Sequence, residues 1–394
     1  MPQPRIPLFL DCDPGIDDAI ALGYLLCQDD VDIAGIAASG GNAPVEQTTR
    51  NALGWLQLAG RTDICVHPGA DRPLAQDADY ALETHGETGA GYARLPLEGL
   101  PPSDTDAAHA WAAAARAHPG ELIGVLVGPA TNLALALDLE PRLPQLIRRL
   151  FIMGGAFNYR GNTRPTTEWN VTWDPEAASR VIAAFGQAYI AGDAPYAPVM
   201  APIEATEAVV MTPERLAKIR SRGDLSPNRT PQWSTWLDQL AAALRFYFEF
   251  HEWDGHGYLA HIHDPYVLAA AIEWARQAET TGKVGRAGND RDPFTTIATD
   301  ELRVSDESIR AVEPDRREVM ARGDTTPVPW AETTQAAVDI ELTGTLTRGE
   351  TVADWLGRWN RPANAEIIRR IDAESFLDNL TEALQKGPGG PTQP

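Results

Sequence analysis

The chain has 394 residues, 43% of them hydrophobic, and a formal net charge of -22. That charge argues against a nucleic-acid binder, whose affinity rests on Lys and Arg, and against an anionic membrane surface. The three cysteines, Cys12, Cys27 and Cys65, give no disulfide framework and no zinc spacing, and they fit a reducing compartment. With no signal-like N-terminus and no run of about 18 apolar residues, a cytoplasmic protein is expected.

The apolar run Ile6 to Leu10 reads as a short buried strand, followed by a helix from Asp17 to about Cys27. Val31 to Ala38 is a second strand, about Val45 to Leu58 a helix, and Ile64 to Val66 a third strand. This alternation predicts an α/β fold, an open, mostly parallel sheet flanked by helices. An Ala-rich helix spans Asp104 to His118, and strands follow at Glu121 to Val127 and Leu150 to Met153. Asp174-Pro175 opens a helix to about Ala184. Asp238 to Phe250 is helical, His251 to His263 reads as a pocket-lining loop, and Asp264-Pro265 opens another helix. Residues 280–332 are charged and weakly periodic, and read as an insertion or surface embellishment of a single domain spanning 1–394. Val338 to Leu342 alternates like a strand, Ala373 to Gln385 is a final helix, and the tail 387–394 is expected to be disordered.

Asp11-Cys12-Asp13-Pro14-Gly15-Ile16-Asp17-Asp18 places four carboxylates within eight residues, at the inner end of the first strand. Desolvated like charges raise one another's pKa and cost several kcal/mol unless a cation or proton intervenes. Hard oxygen donors at this density suit Ca2+ or Mg2+ rather than zinc. One Asp there would be an ordinary helix cap; four, with Pro and Gly shaping the turn, ask for more.

In an open parallel sheet, ligands sit outside the carboxyl ends of the strands. The acidic turn lies at such an end, as do Asn42, Val127-Gly128-Pro129 and the polar stretch with Asn162, Glu168 and Asn170. His263-Asp264-Pro265 offers a fifth carboxylate beside an imidazole. Amide and carboxylate side chains in that number suit a sugar, whose hydroxyls need fixed partners, although a polar turn would also explain 168–170.

These motifs resemble the nucleoside hydrolases, the inosine–uridine-preferring N-ribohydrolase family. The resemblance rests on the Asp11–Asp18 octet, Gly41-Asn42, Val127 to Asn132, Met153-Gly154-Gly155, Gly161-Asn162 with Glu168-Trp169-Asn170, Asp174 to Ala177 and His263-Asp264-Pro265. It extends to Leu346 through Asp354 near the C-terminus. Trp169 stands where the family usually has Phe, and Arg164, Thr166 and Thr167 where it has small or apolar residues. The resemblance implies a calcium (Ca2+) site formed by Asp13, Asp18, Asp264 and the main-chain carbonyl of Val127. It implies that Asp17 and Asn42 bind the ribose diol with Asn170 nearby, that Asn162 and Glu168 hold the 5′-hydroxyl, and that Asp11 supports the cluster from behind. Asp13 would be the general base. His263 is the first candidate for the leaving-group acid, with His85 a second near the base, and Trp253 is a candidate for stacking on the base. A homodimer or homotetramer is expected from the same resemblance.

The implied reaction is hydrolysis of a ribonucleoside to free base and ribose, in nucleoside salvage. A haloacid-dehalogenase-type phosphotransferase also uses Asp-x-Asp at a strand end, but Pro14-Gly15-Ile16-Asp17-Asp18 fits it poorly. A family member that binds nucleoside or sugar without turnover is the non-enzymatic alternative.

Overall fold

The computed structural model describes residues 5–96, 99–221, 230–284 and 326–388. In chain order its strands are β1 (Ile6–Cys12), β2 (Val31–Ala38), β3 (Val66–Pro68), β4 (Leu122–Leu126), β5 (Ile147–Met153), β6 (Val199–Ala201), β7 (Val210–Met211), β8 (Ala260–His261), β9 (Ala331–Ile340), β10 (Thr351–Asp354) and β11 (Ala365–Ile371). Pleating sends successive side chains of β1 to opposite faces: Leu8, Leu10 and Cys12 join one buried cluster and Phe9 the other. Helices cover both faces, so β1 reads as an unbroken apolar run instead of an alternation.

Nine strands form the central sheet in the order β10-β9-β11-β6-β5-β4-β1-β2-β3. All neighbours from β3 to β11 are parallel, while β9 runs antiparallel to β11 and β10. β7 and β8 pair separately. Helices Ile16–Leu26, Pro231–Trp253, Asp264–Val284 and Ala373–Lys386 pack one face; Ala107–Ala117, Thr131–Leu139 and Pro175–Ala191 pack the other. The expected open, mostly parallel sheet is therefore present. β1 lies between β2 and β4, and the chain builds outward from it in both directions. Such a switch point is where open α/β sheets take their ligands, in the crevice beyond the carboxyl ends of the strands, here β1 and β4. Among the described residues no helix is long and apolar enough to cross a membrane.

The expectations fail mainly in the last third. β9 begins at Ala331, well before Val338, and β10 and β11 were not anticipated. Thr326 is buried, and its carbonyl accepts the indole N–H of Trp274 at 3.1 Å. The C-terminal edge of the proposed insertion thus belongs to the packed fold; its interior, 285–325, lies outside the described residues, as do 389–394 of the expected tail. The pocket-lining loop at 251–263 is shorter than expected, because the aromatic helix continues to Trp253 and Ala260–His261 forms β8.

Candidate active site

β1 ends at Cys12, and the turn Asp13-Pro14-Gly15 feeds directly into helix Ile16–Leu26. Asp18 reaches back over this turn, accepting the N–H of Asp13 at 3.2 Å and of Gly15 at 2.8 Å. Asn42, just past β2, donates its backbone N–H to Asp13 Oδ2 at 2.8 Å. Its amide donates to the Asp13 carbonyl at 3.1 Å and to Asp18 Oδ2 at 3.2 Å. Asp13 is so enclosed that a Cβ at position 41 would fall 2.2 Å from Oδ2, and one at position 128 would fall 2.9 Å from Oδ1. Glycine at both places is what lets the two neighbouring chain segments approach.

One carboxylate oxygen each from Asp17, Asp18 and Asp264 gather within 4.8 Å of one another. Asp17 and Asp18 sit in the first turn of one helix and Asp264 opens another, so the positive ends of two helix dipoles offset part of the repulsion. Burial, reinforced by Asp18, pushes the Asp13 carboxyl well above its ordinary range. Burial, reinforced by Asp17 and Asp18, does the same to Asp264. Asp18 rises to about 7 through burial and then the charge of Asp17. Among the described residues no lysine or arginine pairs with this cluster. Buried, uncompensated hard oxygens of this kind fit a divalent cation of the Ca2+ or Mg2+ type.

Asp11 points away beneath the turn. Its two oxygens accept Trp111 Nε1–H at 2.7 Å and Asn132 Nδ2–H at 3.0 Å, and burial raises it to about 7 against those two bonds. The expected supporting role thus has physical partners. Asn132 belongs to a motif visible in the sequence; Trp111, on an Ala-rich helix, gave no such signal.

Across the crevice, Glu168 caps helix Trp169–Trp173. It accepts N–H groups from Asn170 at 2.7 Å, Gly155 at 3.0 Å and Val171 at 3.2 Å. Burial still raises it to about 7. The Asn170 amide donates to the carbonyls of Val127 at 2.8 Å and Met153 at 3.3 Å, tying together the ends of β4 and β5. Asn162 is not drawn in with them: it is exposed, and its side-chain oxygen accepts the Trp169 N–H at 2.9 Å. Thr166 Oγ1 and Trp169 Nε1 are buried without a partner.

The histidines divide. His263 Nδ1 lies 2.7 Å from Thr206 Oγ1, a partner the sequence did not suggest, and its backbone N–H donates to Asp17 Oδ2 at 3.2 Å. Burial lowers the ring to about 4. His85 is buried and turned inward: Nδ1 accepts the Ile16 N–H at 3.1 Å, and the ring lies 5.4 Å from Tyr247. Burial lowers it likewise, to about 4. Trp253 stands apart, 78% exposed at the end of its helix, with Phe250 as ring neighbour at 6.3 Å.

Residues 8–378 match the family profile described as inosine-uridine preferring nucleoside hydrolase. The pyrimidine-specific ribonucleoside hydrolase RihA of Salmonella newport is 31% identical over 381 residues, covering 96% of this chain and 98% of that protein. Its Escherichia coli counterpart is 30% identical with the same coverage. Among solved structures, a plant nucleoside hydrolase superposes with a TM-score of 0.72 at 24% identity, covering 97% of this chain and 99% of the other. A purine-preferring ribonucleoside hydrolase from Gardnerella vaginalis also reaches a TM-score of 0.72, at 21% identity over 96% of this chain and 98% of its own. At those identities the two superpositions speak for the fold.

Proposed function

The chain belongs to the inosine–uridine-preferring nucleoside hydrolase family, hydrolases that act on ribonucleosides, and from that premise we propose that it cleaves their N-glycosidic bond in a Ca2+-dependent way. The observation that carries the reading is the gathering of Asp17, Asp18 and Asp264 beside Asp13, buried and, among the described residues, without a basic partner. Asp13, Asp18, Asp264 and the Val127 carbonyl are the proposed cation ligands. The Val127 carbonyl and Asp13 Oδ2 each accept one hydrogen bond already, and an oxygen acceptor retains further lone-pair capacity. When bound there, a hard divalent cation supplies positive charge and Lewis acidity beside the sugar.

The chain's own residues do the rest. Asp17 and Asn42 bind the 2′- and 3′-hydroxyls, with Asn170 close by. Glu168 holds the 5′-hydroxyl from one side of the crevice, and Asn162 joins it from the exposed loop. Carboxylates around the ring stabilise the positive charge that develops on the ribosyl group. Asp13, its Oδ2 held by the Asn42 N–H at 2.8 Å, takes the proton of the attacking water. His263 donates to the departing base. Its Nδ1 lies 2.7 Å from Thr206 Oγ1, which orients the ring. His85 borders the base side, and Asp11, held by Trp111 and Asn132, braces the turn.

Pyrimidine ribonucleosides are the first substrates to try, a choice supported by the RihA relatives, which are named pyrimidine-specific. The three free cysteines support a reducing compartment such as the cytoplasm, and the family resemblance supports a role in nucleoside salvage and a homodimer or homotetramer. The test is release of reducing sugar from uridine, cytidine, inosine, guanosine and adenosine, with and without chelator. Ribose release that chelation abolishes and Ca2+ restores is expected. Release indifferent to metal removal sinks the cation site, and binding without release from any of the five supports the non-catalytic alternative.

A further inference from the structure

The family-like stretch from Leu346 to Asp354 contains no group that the chemistry above uses, yet it sits against the sugar-side loop. Thr351, the first residue of β10, is buried. Its hydroxyl donates to the Ala156 carbonyl at 2.9 Å and accepts the Ala156 N–H at 2.9 Å, so one side chain holds both polar groups of one residue. The adjacent Gly155 has φ +94, and a Cβ there would lie 3.0 Å from the Thr351 side chain. Gly155 is also the residue whose N–H holds Glu168 Oε2 at 3.0 Å.

A second clamp lies a few residues earlier. Arg348 forks onto Glu176, at the start of helix Pro175–Ala191, at 2.7 and 2.8 Å, and also donates to the Leu342 carbonyl at 2.8 Å. It reaches Gln76 Oε1 at 3.3 Å, and the Gln76 amide donates to the carbonyls of Thr172 and Trp173, both at 2.8 Å. Between the clamps, Gly349 adopts φ +91, and a Cβ there would lie 3.5 Å from the Thr172 α-carbon and 3.6 Å from both Pro175 and Thr167. Thr172 in turn bonds Thr167 Oγ1 at 2.7 Å and the Glu168 carbonyl at 2.6 Å.

We propose that this strap sets the position of the Glu168 carboxylate, with Thr351 as the positioning residue and Arg348 as its anchor, and so determines how strongly the enzyme demands a 5′-hydroxyl. The proposal rests on the reading of Glu168 as the 5′-hydroxyl partner. A ligating group held by its neighbours within about 0.5 Å of its working position is effective, and one left loose is not. Thr351 touches neither sugar nor base in this scheme; it acts through the Gly155–Ala156 peptide.

The experiment compares kcat/KM for a ribonucleoside and its 5′-deoxy analogue in the wild type, Thr351→Val, Thr351→Ser and Glu168→Gln, with Ca2+ present throughout. The ratio of the two values should fall about tenfold in Thr351→Val, return to within about threefold of wild type in Thr351→Ser, and fall furthest in Glu168→Gln. If Thr351→Val does not fold, Arg348→Lys, which keeps the charge and loses the fork, is read by the same ratio and should lower it about threefold. A Thr351→Val enzyme that loses activity equally on both substrates, or on neither, overturns the proposal provided Glu168→Gln lowers the ratio. An unchanged ratio in Glu168→Gln overturns the underlying reading of Glu168, and the strap proposal with it.

Discussion

The two sides of the crevice are held in different ways. The acidic turn is locked from within: Asp18 and Asn42 bond its backbone, glycines at 41 and 128 let its neighbours close in, and every acidic side chain is buried. The sugar-side loop is held from outside, by Thr351 and Arg348, nearly two hundred residues further along the chain, and its tip around Asn162 is exposed. The difference teaches where precision is needed. Charges that repel must be fixed before any ligand arrives, whereas a loop that admits a sugar can be braced at its base and left open at its tip.

Changes in the acidic turn should therefore be the most damaging. Asp13→Ala should lower kcat by about 10³-fold or more while uridine still binds, since a positioned base alone contributes about 10²–10⁴-fold; single-turnover assays and equilibrium binding check this, and near-normal turnover removes Asp13 from the base role. His263→Ala should cost about 10²-fold on natural nucleosides and far less on nitrophenyl riboside, whose leaving group needs no proton. Equal losses on both would point to another acid. Glu168→Gln, on the sugar side, should raise KM about tenfold while leaving the melting temperature within a few degrees of wild type. A large loss of stability instead would mean that its helix-capping role outweighs any substrate role.

Both sides should also betray themselves through pH. Asp11, Asp18 and Glu168 are raised in the folded state to about 7, against an unfolded value near 4. Between those values the folded protein binds more protons than the unfolded one, so its stability falls as pH rises. Buried His85 and His263, lowered to about 4, act in the opposite sense below their unfolded value of about 6.5, so the carboxylates are read above it: metal-free protein should melt higher at about pH 6.5 than at about pH 8, and Ca2+ should flatten the difference. Melting curves that ignore both pH and Ca2+ would contradict the charge argument. The smallest effect is expected at Trp253, whose side chain is 78% exposed. Trp253→Ala should change kcat/KM less than about twofold, and a tenfold loss would restore it to the base pocket.

Much of this was legible in the sequence because it was local. The run from Ile6 to Leu10 and its acidic turn are contiguous, and the alternation of strands and helices fixed which strand ends face the crevice. His263 and Asp264 were visible for the same reason, as a dipeptide opening a helix. What escaped was carried by partners distant along the chain. Nothing about Trp111 in an Ala-rich helix signals that its indole will hold Asp11, and nothing about Thr206 that it will meet His263. The start of β9 is hidden in the sequence because its first residues, Ala331-Glu332-Thr333-Thr334-Gln335, are mostly polar or half-exposed along the line where it pairs with β11. The exposure of Trp253 is not legible in the sequence, because an aromatic side chain near a pocket and one at a solvent-facing helix end look alike until the helix phase is known.

The strap also orders events during synthesis. A ribosome adding about 5–20 residues per second takes roughly 20–70 s to travel from Asp13 to Thr351. The acidic turn can meet Asn42 soon after both emerge, but the peptide that aims Glu168 has no Thr351 to grip until nearly the whole chain has left the exit tunnel. A nascent chain would thus carry its charged pole long before its sugar-reading pole, and a prematurely terminated product ending before Thr351 would lack the clamp altogether.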